Sequence, residues 1–173
     1  NSVENFFSSS SKHHFTFINL VIPNVFGPYC KPNYNSFIAT FCYNSINKIE
    51  NKVKKNKNVP LIYIDHLVKQ IIQKININSS DEFKIDEDEK IKVGEVKKII
   101  DDFNETYIKN GNIPDLNSLF KINLFNTFHS YIEAETFFPQ KHNLIRDDRG
   151  FFSEILRTSS KGQISFSKSN PGH

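Results

Sequence analysis

Residues 15–22 (Phe-Thr-Phe-Ile-Asn-Leu-Val-Ile) run straight into Pro23-Asn24-Val25-Phe26-Gly27-Pro28. The first stretch is almost continuously apolar and β-prone, the pattern of a strand buried on both faces of a parallel sheet. The second reads as a loop held by two prolines and a glycine. Asn35 or Ser36 is placed to cap a helix, and Ile38, Phe41, Cys42, Ser45, Ile46 and Ile49 then share one helical face. A second round follows. Leu61-Ile62-Tyr63-Ile64 reads as a short strand, Asp65 as an N-cap, and Leu67, Val68, Ile71, Ile72 and Ile75 as the apolar face of a helix. This repeated order predicts an α/β domain with ligand loops at the carboxyl ends of its strands.

The remaining texture is more varied. Residues 48–58 are charged and read as a solvated connection; residues 76–90 are polar and acidic and read as a surface connection. Val96, Ile99, Ile100, Phe103 and Tyr107 recur with a period near 3.6 and predict a third helix, ended by Asn110-Gly111-Asn112. Residues 116–132 predict a fourth helix, aromatic on one side. Beyond Pro139 the pattern changes. Residues 151–157 and 162–167 nearly alternate and predict two antiparallel strands around a Ser/Lys/Gly turn. A boundary is therefore expected near 135–143, with further strands beyond His173, since an isolated hairpin is marginal in water.

Composition narrows the function classes. With 17 Phe and a hydrophobic share of 38%, the chain can build a core. A net charge of +3 with interleaved signs gives no basic face for nucleic acid. The longest apolar run is far too short for a membrane span. Cys30 and Cys42, the only cysteines, form no CxxC. They fit a reducing, cytoplasmic compartment. His13-His14, His129 and His142 are too scattered to suggest a metal site. The chain contains no methionine and starts in polar sequence, so it reads as the interior of a longer protein.

Several segments carry chemistry. Pro23 removes a backbone donor and stiffens the chain, while Asn24 offers both a donor and an acceptor. Tyr29-Cys30-Lys31-Pro32-Asn33-Tyr34-Asn35-Ser36 adds a cation and amides, followed by Ala39-Thr40-Phe41-Cys42. Then come Leu61-Ile62-Tyr63-Ile64-Asp65, Val93-Gly94-Glu95 at a helix start, Asp147-Asp148-Arg149-Gly150-Phe151-Phe152-Ser153-Glu154, Gly162-Gln163-Ile164-Ser165 and Pro171-Gly172. In this order, from about residue 15 to 172, the segments resemble the capsular polysaccharide reductases that act on a UDP-linked 2-acetamido-2,6-dideoxy-4-hexulose. In that family an extended short-chain dehydrogenase/reductase domain is fused to a C-terminal cupin. His66 and Val21 depart from the pattern, which has a second acid and often an arginine at those places.

The resemblance implies the carboxyl-terminal, substrate-binding part of a Rossmann-type reductase domain over 1–138 and the first strands of a cupin over 139–173. It implies NADPH beside Pro23, Asn24 and Val25. It also implies a UDP-sugar held by Asn24, Lys31, Asn33, Tyr34 and Asn35, and by Arg149, Phe152 and Glu154 on the cupin side. The reductase would deliver hydride to the C4 ketone, and the zinc-binding cupin would epimerise C3. The catalytic Tyr/Lys pair and the glycine-rich phosphate loop are expected upstream of Asn1, and the zinc ligands downstream of His173. No catalytic residue is therefore assigned on this chain, which alone is expected to be inactive. The family also implies a possible homodimer. The alternative is a non-catalytic role, with the chain a truncated or degenerate scaffold or dimerisation piece.

Overall fold

The computed structural model describes residues 17–75, 77, 81–159 and 162–172. Its strands are β1 (Ile18–Val21), β2 (Asn24–Phe26), β3 (Asn58–Tyr63), β4 (Asp81–Lys84), β5 (Glu89–Lys92), β6 (Ile145–Asp147), β7 (Gly150–Arg157) and β8 (Gln163–Ser169). The helices are α1 (Phe37–Ile46), α2 (Ile64–Ile75), α3 (Val93–Phe103), α4 (Leu119–His129) and a single turn α5 (Ala134–Phe137). α3 passes directly into a π-helical turn, Asn104–Lys109.

Three sheets result. β1 pairs in parallel with β4. β2 pairs in parallel with β3, which pairs antiparallel with β5. β6, β7 and β8 form an antiparallel sheet. The strand buried on both faces is β3, not β1. Leu61 and Tyr63 face the main core with Phe26, Ile38, Cys42, Val96, Ile100, Phe103, Leu124 and Phe128. Ile62, one residue out of phase, joins Leu67 and Ile85 on the other side. β1 is half-buried at best, with Val21 47% and Ile22 44% exposed. Its described pairing is on one edge only, to β4. Phe15 and Thr16 lie outside the described residues.

Other expectations are corrected by local hydrogen bonding. Asn24, Val25 and Phe26 are a strand, because β3 offers them a parallel partner. Residues 76–90 are not merely a connection, since they supply β4 and β5. Asp65 does not cap α2; β3 runs into the helix without a break, leaving Asp65 in its first turn. Of the expected apolar face of α2, only Leu67 is buried, and Val68, Ile72 and Ile75 face outward. Ile49 is exposed because α1 ends at Ile46.

One expected cap, Ser36, and the expected helix end at Gly111 are found, together with a cap the sequence did not suggest, Ser118. Ser36 caps α1 by accepting from Ala39 N at 3.4 Å. Ser118 caps α4 in the same way, accepting from Lys121 N at 3.2 Å. Gly111, with φ of 67°, follows the π-helical turn. The connection 48–58 is charged yet pinned. Asn51 is buried, accepts from Asn44 Nδ2 at 3.1 Å and donates to Phe41 O at 2.9 Å.

The sheet of β6, β7 and β8 is joined to the helical layer by a short parallel bridge between Ile113 and Thr158. Ile113 N donates to Arg157 O at 2.9 Å, and Ser159 N donates to Ile113 O at 3.1 Å. Within the sheet, Gly150 is a packing requirement. Its φ is 143°, and a Cβ there would sit 1.9 Å from the Lys168 carbonyl oxygen.

Phe103 is fully buried against Phe125 and Phe128. Phe103→Ala should lower stability by about 3–5 kcal/mol, read from urea unfolding. Gly150→Ala should cost about 1–3 kcal/mol or more through overpacking and strain. Its signature is accelerated amide exchange in β7 and β8, and unchanged exchange there would contradict the packing role.

Candidate functional site

Because β2 and β3 run in parallel, the loop after β2 and the start of α2 emerge at the same edge. That edge is where open α/β sheets bind ligands. Gly27 lets the chain pass this point, since a Cβ there would meet Ile64 Cγ2 at 2.5 Å. At the same edge Asp88 accepts from Tyr63 N at 2.7 Å and pairs with His66 Nδ1 at 2.9 Å. His66, the departure from the family pattern, thus helps to fasten the start of α2.

The loop 27–35 is tied down by backbone contacts and raises its side chains into solvent. Tyr29 N donates to Ser130 Oγ at 3.2 Å, and the Tyr131 hydroxyl donates to Cys30 O. Burial pushes the Tyr131 phenol up, so it stays a protonated donor. Asn33 N donates to Thr40 Oγ1 at 2.9 Å. Tyr29 and Asn33 both occupy the left-handed region, with φ of 62° and 56°. Asn tolerates that conformation, whereas for Tyr it costs on the order of 1–3 kcal/mol. Lys31, Asn33, Tyr34 and Asn35 are all exposed. Lys31 Nζ stands 5.9 Å from the centre of the Tyr34 ring.

Pro23, Asn24 and Val25 sit at the other end of the short β2. Asn24 Nδ2 donates to Pro60 O at 3.0 Å, leaving Oδ1 as its remaining acceptor. Val25 packs beside Ile62, Leu67 and Ile85. The second group of expected residues lies in β7 and the turn before it. Arg149 forks onto Asp147 Oδ2, through Nε at 3.1 Å and Nη2 at 2.6 Å. The same guanidinium holds the Asp147 carboxyl below the usual carboxylate range. The depressed value favours the folded turn at neutral pH, and that contribution is lost as pH falls through it. Glu154 accepts from Arg157 Nη2 at 2.7 Å, which raises the Arg157 pKa. Phe152 and Glu154 line a cleft of about 1350 Å³, while Arg149 does not.

Among the described residues, no hydrogen bond, ion pair or ring contact joins residues 23–35 to residues 149–154. The structure therefore presents two places, a loop and a cleft. The far wall of the cleft was not foreseen from the sequence. Tyr107 lines it from the π-helical turn, with its hydroxyl 3.4 Å from His129 Nε2. The spacing of Phe103 and Tyr107 reads as uninterrupted α-helix, which hides that turn. Among the described residues no group of three His, Cys, Asp or Glu comes together to hold a metal. His13-His14 and His173 lie outside the described residues. Among the described residues no helix is long and apolar enough to cross a membrane.

No protein-family model matches the chain. Over 154 residues it is 30% identical to the UDP-2-acetamido-2,6-beta-L-arabino-hexul-4-ose reductase of Pseudomonas aeruginosa, covering 87% of this chain and 41% of the relative. The crystal structure of the capsular polysaccharide assembling protein CapF from Staphylococcus aureus superposes with a TM-score of 0.78 at 30% identity. That match covers 98% of this chain and 47% of CapF. The UDP-glucose 4-epimerase of Thermotoga maritima, solved with UDP-glucose, gives a TM-score of 0.61 at 14% identity, over 75% of this chain and 50% of the epimerase. This last likeness is one of fold alone, and it agrees with the α/β reading. The chain spans less than half the length of the P. aeruginosa reductase and about half that of the solved structures. The chain is thus similar in sequence to a UDP-linked hexulose reductase and in fold to a capsular polysaccharide assembling protein, matched over most of its own length and about half of theirs.

Proposed function

We propose that the chain forms the sugar-nucleotide side of a reductase acting on a UDP-linked 2-acetamido-2,6-dideoxy-4-hexulose in the synthesis of cell-surface polysaccharide. The observation that carries this reading is the 30% identity to the P. aeruginosa hexulose reductase over 87% of this chain. In this reading residues 1–138 belong to the reductase domain and 139–173 open a cupin. Lys31 offers a cation to the pyrophosphate. Asn33, Tyr34 and Asn35 offer amides and a phenol to the sugar and the base. Their loop is fixed before any ligand arrives, which lowers the ordering cost of binding.

NADPH, when bound, supplies hydride to the C4 ketone. The described residues fit one edge of such a group. Pro23 and Val25 give an apolar side, and Asn24 Oδ1 is an open acceptor. The chain carries no GxGxxG for the phosphates. For zinc, no cluster of donors among the described residues fits. Two free cysteines accord with a reducing, cytoplasmic setting.

Hydrogen exchange with a UDP-sugar is the direct test. Amides of residues 23–35 should be protected at saturating ligand, and unchanged exchange there would count against the assignment. Lys31→Ala should weaken binding by about tenfold, the loss of one charge-assisted contact. The 173-residue chain by itself should oxidise no NADPH with a 4-keto sugar nucleotide. A measurable loss of absorbance at 340 nm would overturn the absence of an assigned catalytic residue.

A further inference from the structure

Charges of both signs are interleaved along the sequence, but the fold sorts them. β2, α1 and β3 form a parallel crossover, so α1 runs back and ends on the side where β3 begins. β5 is antiparallel to β3, so it ends there too and passes into α3. Val93 N donates to Lys57 O at 3.1 Å, and Gly94 N donates to Asn56 Oδ1 at 2.9 Å, which closes this junction. Lys48, Lys54, Lys55, Lys57 and Lys92 gather at this end, all exposed. None of the five is in an ion pair among the described residues. The carboxylates beside them are engaged: Glu50 pairs with Lys52 at 3.7 Å, and Glu95 accepts from Lys92 N at 3.3 Å.

Acids collect at the opposite end of β3. Asp65 lies in the first turn of α2, and Asp86, Glu87 and Asp88 precede β5, with Asp88 accepting from Tyr63 N at 2.7 Å. β3 is six residues long, so its ends stand roughly 20 Å apart. That exceeds the Debye length of about 8 Å at physiological salt, so the acids leave the field of the lysines largely intact. The ligand edge belongs to the acidic end, and the lysines point away from it.

The residue types select the partner. Arg146, Arg149 and Arg157, the arginines of the chain, lie in or beside β6 and β7, so the cations at this end are lysines alone. Residues 48–58 and 90–95 contain no aromatic side chain. Without forked donors or stacking rings the surface is poorly equipped to hold a nucleic acid. Lysine point charges suit a diffuse anionic surface. Ile49, 51% exposed beside Lys48, adds an apolar tip. Asn51, buried and donating to Phe41 O at 2.9 Å, fixes the path of the connection behind it.

We propose that this lysine end docks the chain on an anionic lipid bilayer, with Ile49 entering the headgroup layer and the ligand edge turned away from the lipid. The 173-residue chain, sedimented with phosphatidylcholine vesicles with and without phosphatidylglycerol, tests this. Binding is expected to the anionic vesicles only, and it should weaken as salt is raised. Lys54→Glu/Lys55→Glu/Lys57→Glu should weaken it by about tenfold or more, and Ile49→Ser by about threefold. These side chains are exposed, so the core is untouched. Lys69→Glu/Lys84→Glu/Lys141→Glu makes the same change of net charge at other exposed places and should stay within about threefold of the parent. Equal binding to both kinds of vesicle, equal losses in the two triple variants, or no binding at low salt overturns the proposal. Tighter binding to a DNA duplex than to the anionic vesicles at the same salt also overturns it, and makes the partner a nucleic acid.

Discussion

β3 is covered on both faces and hydrogen-bonded on both edges, and the rest of the α/β part is arranged around it. Leu61 and Ile62 are both fully buried, although they point in opposite directions. One anchors the large core under α1, α3 and α4; the other anchors the small cluster under α2. A slip of one residue in β3 would place each side chain in the wrong cluster. The register of β2 follows from β3, and with it the place where the loop 27–35 begins.

That loop shows how packing can fix a backbone while leaving its side chains exposed. Its backbone is held by the end of α4, through Ser130 and Tyr131, and by Thr40 on α1. The side chains contribute little to this hold, so they remain available to a ligand. Tyr29 is 85% exposed and Tyr34 73% exposed. Such exposed aromatic surface on a fixed backbone favours recognition over stability.

Much of this was legible in the sequence where a local rule met no competitor. Ser36 caps its helix, Val96, Ile100 and Phe103 are buried at the expected spacing, and the expected segments 151–157 and 162–167 pair antiparallel, from Gln163 onward in the second. The misreadings arise where a distant partner decides. Asn24-Val25-Phe26 looks like a loop until β3 lies beside it. The acidic residues 81–84 become a strand because β1 needs a neighbour, and no local pattern announces that. Asp65 is a good cap by type, but the unbroken passage from β3 into α2 leaves no cap position for it. The loop 27–35 stands out in the sequence because its residue types are unusual. The cleft does not, because it exists only between segments far apart in sequence.

The bridge between Ile113 and Thr158 closes a long stretch of chain that includes α4, α5 and β7. Its closure costs entropy that grows slowly with the enclosed length. Few backbone bonds compensate, so the bridge is worth forming only once α3 and α4 have already packed. The sheet of β6, β7 and β8 then inherits its footing from a finished helical layer, and local opening should propagate outward from that sheet first. In kinetic terms the short bridge sets an order of assembly, in which the helices come early and the docking of the sheet comes late.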